Sequence, residues 1–319
     1  MPVVTNLASA LLDYATRDGD GIRFKAIKFA SFSEMAAALR NGKIQVAFMI
    51  APLSILLRQQ GEDVKIIYIG NRHESTLVVR KDLPVRAFGD LGGRTVAVPM
   101  RFSGHHLSLL QLMEKNRLGS AIRIVEMNPP DMASALAAGS LDAYYVGEPF
   151  AARTLQSGDA YRLLYVEEVW KNFICNLVVI HQDFAKKDPE IVSMLVQGAA
   201  RSGIWAKNHP QEAARIASGY WNQPVDLVEY ALTTPKDRIV FDRFVPEEKE
   251  IQHLADLMVK YGLIDRNDVS GLIDDRFARA VNLKGIKDFD SILMPPPKLA
   301  SADTESISRD QGEWKKERE

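Results

Sequence analysis

The stretch EMAAALRNGKI at residues 34–44 returns 97 residues later as DMASALAAGSL at residues 131–141. In each copy an acidic residue opens a short helix, a glycine ends it, and an apolar run follows that a proline closes, at Pro52 and at Pro149. A repeat of this length is typical of a duplicated structural unit. Ala-rich helices also resemble one another by composition, but here Met, Leu, Gly and Pro all keep register without a gap. We therefore expect two similar α/β lobes that face a shared cleft.

The same offset pairs Pro2 with Pro99 and indicates that the first copy begins late. In the second copy the β-branched run 94–98 follows a Gly-Gly turn and predicts a strand just before Pro99. No such run precedes Pro2. We therefore expect the opening strand, and any secretion signal upstream of it, to be missing from this sequence. With such a signal the protein would be periplasmic or otherwise extracytoplasmic.

Composition narrows the classes of function. Of the 319 residues, 46% are hydrophobic, which suffices for one or two packed cores. The net charge of -1 gives no reason to expect nucleic acid or an anionic membrane as a partner. No apolar run reaches the roughly 20 residues that a transmembrane helix needs. The single cysteine, Cys175, excludes an intrachain disulfide and a cysteine-based zinc site, and we expect it to be a small core residue.

Helices and strands are predicted to alternate along the first copy. Apolar spacing predicts a helix over 6–16, and alternation predicts a half-buried strand over 22–29. Helices over 33–41 and 53–60 and strands at 44–49 and 64–69 extend this to a β-α-β-α-β order. That order is typical of a parallel sheet with helices on its faces, and the second copy repeats it.

The remainder of the chain reads as consecutive helices from residue 183 to residue 261, without a new repeat. We expect these helices to pack onto the first lobe, which is then discontinuous. The predicted bounds are residues 1–92 and 173–285 for lobe 1 and residues 93–172 for the inserted lobe 2. Residues 286–319 form an extension whose polar end, from about Lys298, is predicted to be disordered.

One candidate binding segment is Arg101-Phe102-Ser103-Gly104-His105-His106, which follows a predicted strand and opens a helix. Ligands of doubly wound sheets bind at such strand ends, where helix N-termini present free N–H groups. Ser103 can cap this helix, and its N-terminus suits a small anion or carboxylate. His105 and His106 also suggest a metal pair, but adjacent helical side chains diverge and no third ligand has a recognised spacing. We therefore expect no metal here.

Three further places were selected by the same reasoning. Gly147-Glu148 ends a strand of the second copy and presents a carboxylate, although Glu148 is equally able to cap the next helix. Its counterpart around Ala51 is apolar. Thr5-Asn6 opens the first helix, and Asn71 belongs to a polar turn at 70–75 that also reads as an ordinary exposed loop. The predicted ligand-binding residues are therefore Thr5, Asn6, Ala51, Asn71, Arg101, Ser103, Gly104, His105, His106, Gly147 and Glu148.

Sequence signals for catalysis are weak. The chain contains no Gly-x-Ser-x-Gly elbow, phosphate-binding loop, Gly-x-Gly-x-x-Gly or His-Glu-x-x-His motif. Asp131 and Asp142 are explained as a helix-cap and a strand-start residue. Trp170 and Trp205 are interpreted as packing residues, with a lesser alternative that Trp170 lines the cleft. We expect no enzymatic activity, no catalytic residue and no cofactor.

Four segments carry a family resemblance. DLGGRTVAV at 90–98, NPPDM at 128–132, AGSLDA at 138–143 and VGEP at 146–149 resemble the substrate-binding proteins of ABC importers. The similarity is to the NMT1/THI5-like branch, which serves nitrate, bicarbonate, sulfonates, taurine and thiamine-precursor pyrimidines. It runs from residue 2 to about residue 285, and its most specific part is DAYYVGEP at 142–149.

The resemblance implies a type II periplasmic-binding-protein fold: two doubly wound α/β lobes, two crossover segments and a ligand trapped in the cleft. It also implies that the segments around Ser103 and Glu148 contact the ligand. The chain departs from the nitrate type at Ser103-Gly104-His105-His106, which leaves sulfonate, carboxylate or pyrimidine open.

The implied function is capture of a small anionic or polar solute, nitrate-, bicarbonate- or sulfonate-like, for delivery to a membrane permease and its ATPase. The protein would act as a monomer. Alternatives are a pyrimidine-precursor binding protein or synthase on the same fold, and a cytoplasmic ligand sensor.

Overall fold

The computed structural model describes residues 6–297, which form two β-sheets covered by helices. A three-stranded sheet has the order β1-β8-β2, and a five-stranded sheet has the order β5-β4-β6-β3-β7. The strands are β1 (Val46–Met49), β2 (Val64–Arg72), β3 (Ser75–Arg80), β4 (Thr95–Val98), β5 (Arg123–Glu126), β6 (Ala143–Gly147), β7 (Ala160–Tyr165) and β8 (Ile174–His181). The helices are α1 (Leu7–Thr16), α2 (Phe32–Arg40), α3 (Ala51–Gln59), α4 (Gly104–Lys115), α5 (Pro129–Ala137), α6 (Phe150–Ser157), α7 (Val166–Val169), α8 (Gln182–Lys187), α9 (Pro189–Asn208), α10 (Pro210–Trp221), α11 (Val225–Thr233), α12 (Glu248–Lys260) and α13 (Arg276–Arg279).

The repeated unit is confirmed as a helix followed by a strand and a second helix. Helices α2 and α5 begin and end at positions that differ by the sequence offset, and β1 and β6 begin at matching positions. After each first helix the backbone turns at a glycine in the left-handed region, Gly42 at φ +65° and Gly139 at φ +76°. Glycine adopts this conformation without the steric cost of a Cβ, which explains why it keeps register in both copies.

The expectation of a purely parallel sheet is wrong for the first unit. Strand β8 lies between β1 and β2 and runs antiparallel to both. Strand β8 follows the second unit in the chain and is inserted between β1 and β2, so these two strands do not pair with each other. In the five-stranded sheet β4 runs parallel to β5 and β6, whereas β3 runs antiparallel to β6 and β7.

The predicted strand over 22–29 is also wrong, because this segment belongs to no sheet. Its counterpart in the second copy is β5, which is held by parallel pairing with β4. Among residues 6–297 no strand lies beside residues 22–29 to bond them. They border instead a cavity of about 530 Å³ that separates them from the edge strand β1.

Strand pairing places β3 in the five-stranded sheet, although residues 1–92 were expected in the first lobe. The chain therefore passes between the sheets at residues 73–74 and again between β7 and β8. The division into a discontinuous lobe 1 and an inserted lobe 2 stays a prediction. Residues 75–79 of β3 are buried, so their backbone N–H and C=O groups need hydrogen-bond partners at both edges of the strand. Strand β6 supplies them at one edge and β7 at the other.

Helices α9 and α13 pack onto strand β2 of the three-stranded sheet, whereas α11 packs against α6. The long helix α9 lies against α1 and β2, and Leu12, Tyr68 and Val196 share one apolar cluster there. Glycines in α9 allow close approach: a Cβ at Gly198 would lie 2.6 Å from Cδ2 of Leu12 in α1, and a Cβ at Gly203 would lie 2.9 Å from both Cβ and Cδ1 of Phe241. No helix in residues 6–297 is long and apolar enough to cross a membrane. The tail predicted to be disordered, from Lys298, lies outside the described residues.

Replacing Gly203 tests this packing. We expect Gly203→Ala to lower the free energy of unfolding by about 1–3 kcal/mol, because the added methyl overpacks a buried contact. Gly219→Ala is the matched control, since Gly219 is also helical, is exposed and has no atom within 4 Å of the added Cβ. Urea denaturation followed by circular dichroism measures both. Equal stability of the two variants would contradict the packing argument.

Candidate functional site

The site is a cavity of about 90 Å³ at which both repeats meet. A single water needs roughly 10–15 Å³ on this measure, so the cavity holds a small solute of a few heavy atoms. Its polar walls come from asparagines, carboxyl groups, an imidazole and a thiol, and its apolar walls from phenylalanines, prolines and aliphatic residues. The lining residues are Asn6, Leu7, Phe32, Phe48, Ile50, Asn71, Glu74, Pro99, His105, Pro129, Val146, Gly147, Glu148, Pro149, Phe150, Cys175, Asn176, Leu232 and Phe241.

Two equivalent helix starts lie at this cavity, as the repeat predicts. Asn6 caps α1 by accepting from the backbone N–H of Ala8 at 2.8 Å. Ser103 caps α4 by accepting from the N–H of His106 at 3.1 Å. A side-chain oxygen at the cap position satisfies a donor that the helix leaves unpaired. The sequence offset pairs these two caps, and each brings a polar residue, Asn6 or His105, to the wall.

A chain of amide hydrogen bonds leads from the first cap to a carboxyl group. Nδ2 of Asn6 donates to Oδ1 of Asn176 at 2.8 Å, Nδ2 of Asn176 donates to Oδ1 of Asn71, and Nδ2 of Asn71 donates to Oε2 of Glu74. The direction is fixed at its start, because the N–H of Ala8 can only donate and so requires Oδ1 of Asn6 there. Oε2 of Glu74 therefore accepts.

Glu74 is a half-buried acid that has no ion-pair partner among residues 6–297. It follows β2, where it adopts φ +64° at the crossing between the sheets. The pKa of its carboxyl group is raised to about 7: burial raises it most, the hydrogen bond from Asn71 opposes the rise, and the carboxylate of Glu148 adds to it. Protonated and ionised forms of Glu74 are therefore both populated at neutral pH.

His105 lies between aromatic rings and is neutral. Its ring contacts Tyr145 and Phe173 edge-on, with centroids 5.4 and 5.5 Å away. Nε2 shares a hydrogen bond of 2.8 Å with Oγ of Ser75, whereas Nδ1 has no partner among residues 6–297. Burial lowers the pKa of the imidazole to about 3, so His105 brings no positive charge at neutral pH.

Glu148 is held by a buried ion pair. Its Oε1 lies 3.4 Å from Arg238, and the two side chains are 4% and 3% exposed. Oε1 also accepts from the hydroxyl of Thr76, and Oε2 accepts from the N–H of Ala152 in α6, so Glu148 does cap the next helix. Burial raises the pKa of Glu148, and the guanidinium of Arg238 opposes that rise.

Arg238 links the C-terminal helices to the five-stranded sheet. Its Nε donates to Glu167 at 2.8 Å, and its second terminal nitrogen donates to the carbonyl of Ser75. The guanidinium also lies 4.0 Å from the ring centroid of Tyr165. Every nitrogen of this guanidinium is thereby engaged with protein groups.

The structure divides the predicted site residues into two sets. The cavity wall includes Asn6, Asn71, His105, Gly147 and Glu148, while the other predicted residues with described positions lie outside it. Thr5 lies outside the described residues. Those beyond the wall are Ala51, Arg101, Ser103, Gly104 and His106.

Local contacts explain why some predicted residues stay outside the wall. Arg101 is exposed and lies over the ring of Phe102, and its carbonyl bonds Nδ1 of His106 at 2.7 Å. Of the two adjacent histidines, it is therefore His105 that faces the cavity. Gly104 packs against the ring of Phe173, and a Cβ at this position would lie only 2.7 Å from that ring. The predicted ligand set remains a prediction.

Sequence reasoning missed four site residues. Glu74 lies in the polar turn that was singled out, but only Asn71 was chosen from it. Asn176 and Cys175 lie within a strand that reads as apolar core, and Cys175 is indeed buried. Arg238 lies in the helical tail, where no motif distinguishes it from surface arginines. An Asn in the middle of the apolar run FICNLVVI was the one available signal.

Trp170 does not reach this cavity. Its ring contacts Phe173 and His253 edge-on and borders a different surface pocket. Within residues 6–297, no three His, Cys, Asp or Glu side chains gather as a metal site would require.

Comparison with known proteins identifies the family of this sequence. The model of the NMT1-like family matches residues 10–219, more than half of the chain. The chain belongs to the NMT1-like family. That span contains both repeats and every polar residue of the cavity wall except Asn6.

Relatives and solved structures agree with this assignment. A taurine-binding periplasmic protein of Escherichia coli K12 is 27% identical over 79% of this chain and 82% of its own. The ligand binding component of an ABC-type import system from Staphylococcus aureus, solved with zinc bound, superposes with a TM-score of 0.79 at 17% identity, over 88% of this chain and 97% of its own. The alkanesulfonate-binding protein SsuA from Xanthomonas axonopodis pv. citri, bound to MOPS, gives 0.73 at 17% identity over 85% and 95%. The fold is therefore the type II periplasmic-binding-protein fold.

Removing Arg238 tests the buried ion pair. We expect Arg238→Met to lower the free energy of unfolding by about 3–5 kcal/mol, because it leaves buried carboxylates uncompensated. Arg162→Met is the control: Arg162 also lies over Tyr165 and pairs with Glu168, but it is 39% exposed, and such pairs contribute at most about 1 kcal/mol. Adding Glu148→Gln should recover part of the loss. Equal effects of the two arginine variants would contradict the assignment.

His105 should make stability depend on pH. The unfolded imidazole takes a proton near pH 6.5 and the folded one near pH 3, so the unfolded state binds more protons between these values. The stabilisation is complete above pH 6.5 and falls as pH is lowered, by up to about 1.4 kcal/mol per pH unit. Urea unfolding at pH 7.5, 6 and 5 measures the difference in free energy of unfolding between wild type and His105→Gln. Glu74 contributes a pH dependence of opposite sign to both proteins, so its contribution cancels in this difference. A difference independent of pH would disprove the neutral buried imidazole.

Proposed function

We propose that this chain is the solute-binding component of an ABC importer. One observation carries the proposal: the polar cavity is built from both copies of the repeat, with Asn6 from the cap of α1 and His105 from the first turn of α4 at its wall. A ligand in that position touches both sheets at once, so closing the lobes and binding the ligand are the same event. The similarity to a taurine-binding protein and to an alkanesulfonate-binding protein supports this use of the fold.

Binding by hinge closure also suits the connections between the sheets. Within residues 6–297 the strands of the two sheets are connected at residues 73–74 and between β7 and β8, and Glu74 lies on the first connection. Arg238 then reaches from the loop between α11 and α12 to Glu148 and Glu167 on the other side. These ion pairs would hold the closed form and break as the cleft opens.

The chemistry of the site favours binding over catalysis. Ser75 and His105 form a hydrogen-bonded pair like the first half of a nucleophilic triad. The other ring nitrogen of His105 has no carboxylate to orient it, and the lowered imidazole pKa makes a weak base at neutral pH. Burial and the neighbouring Glu74 raise the pKa of the Cys175 thiol well above its usual value, which disfavours the reactive thiolate.

Partners and location follow from the same proposal. The loaded protein would deliver its solute to a membrane permease driven by an ATPase, in the periplasm or outside the cytoplasmic membrane. We propose that it does so as a monomer, since one chain supplies both walls of the cavity.

A ligand screen tests the proposed function. We expect one class among nitrate, bicarbonate, taurine, alkanesulfonates and pyrimidines to raise the melting temperature of the purified protein and to give saturable heat in calorimetry. Asn176→Ala should weaken that binding at least tenfold, because the Asn176 amide joins Asn6 to Asn71 in the wall. Asn116→Ala is the control, since its amide bonds only within α4. Chemical turnover of the bound compound would overturn the binding-protein assignment.

A further inference from the structure

The cavity wall carries more acidic than basic side chains. Glu74 and Glu148 both line the cavity, and among the described residues that line it there is no Lys or Arg. His105 is neutral for the reason given above. An anion in this position therefore meets carboxyl groups without a facing cation, and an unpaired buried charge is costly.

Arg238 does not supply the missing cation. Its three nitrogens bond Glu167, Glu148 and the carbonyl of Ser75, and its face lies over Tyr165. It therefore compensates Glu148 and leaves Glu74 without an ion pair in the described part of the chain. A ligand that drew Arg238 away would leave two other carboxylates buried and unpaired.

Glu74 is also oriented to accept. The amide chain that starts at the α1 cap directs the Nδ2 of Asn71 onto Oε2 of Glu74, and no step of that chain can reverse while the cap bond exists. When Glu74 is ionised, its other oxygen keeps free acceptor capacity, which a positively charged donor satisfies best.

We propose that Glu74 binds a protonated amine of the solute and thereby selects small aliphatic ammonium compounds. This inference rests on the proposed function. The rest of the wall fits the same ligand: the rings of Phe48, Phe150 and Phe241 and the side chain of Ile50 offer apolar surface to short methylene chains. An ammonium–carboxylate contact here forms away from bulk water, where charged hydrogen bonds are strongest.

Calorimetry with isosteric pairs tests the inference. At pH 8, taurine is compared with isethionate and ethanolamine with ethylene glycol, since each pair exchanges an ammonium for a hydroxyl. We expect the amine of at least one pair to bind wild type at least tenfold more tightly than its partner. Glu74→Gln should reduce that ratio below about threefold, and Glu212→Gln, which removes an exposed helical carboxylate, should preserve it.

The pH dependence of amine affinity in the wild-type protein tests the inference independently, even if the Glu74→Gln variant does not fold. Amine affinity should rise about tenfold from pH 6 to pH 8, because Glu74 loses its proton near pH 7. Of the groups that face it, His105 stays neutral and the Cys175 thiol stays protonated in this range, while burial raises the pKa of Glu148 and the guanidinium of Arg238 opposes that rise.

Two results would overturn the inference in distinguishable ways. If isethionate, alkanesulfonates or nitrate bind as tightly as the amines, or if Glu74→Gln keeps the amine preference, a solute is still captured but Glu74 does not select it. If none of these compounds binds at millimolar concentration, the proposed function falls together with the inference.

Discussion

Carboxyl groups buried where the two sheets meet must be compensated, and the guanidinium of Arg238 does most of this. It joins Glu148 at the end of β6 to Glu167 in α7, although Arg238 itself lies in the loop between α11 and α12. A second buried arginine, Arg72 at the end of β2, makes a bidentate pair with Glu250 of α12 at 2.8 Å. Because each pair spans elements far apart in sequence, the relative placement of sheets and helices depends on charges that cannot stay buried alone.

Much of the fold was predictable because it is local and repeated. The apolar spacing, caps and glycine turns of residues 34–44 and 131–141 fix a helix and a strand in each copy, whatever surrounds them. Pairing between distant segments was not predictable in this way. The pattern at 22–29 alternates as a strand should, but a strand exists only where a neighbour bonds it, and the insertion of β8 between β1 and β2 depends on tertiary packing.

The site was predictable where it coincides with the repeat. Asn6, His105, Gly147 and Glu148 were found because strand ends and helix starts are legible in sequence. Glu74 was passed over since its role comes from burial, which no local pattern reveals. Arg238 lies about 90 residues from its partner Glu148, and only the folded chain brings the two side chains together.

The chain of amides from the α1 cap to Glu74 has a consequence for the thermodynamics of capture. Rotating any one amide by half a turn would set donor against donor, so the three asparagines keep one arrangement or lose several bonds together. A solute that enters thus meets side chains whose rotamers are already fixed by their neighbours. Rigidity that precedes the ligand reduces the entropy lost on association, so a cavity of this size can hold a molecule of few atoms with useful affinity.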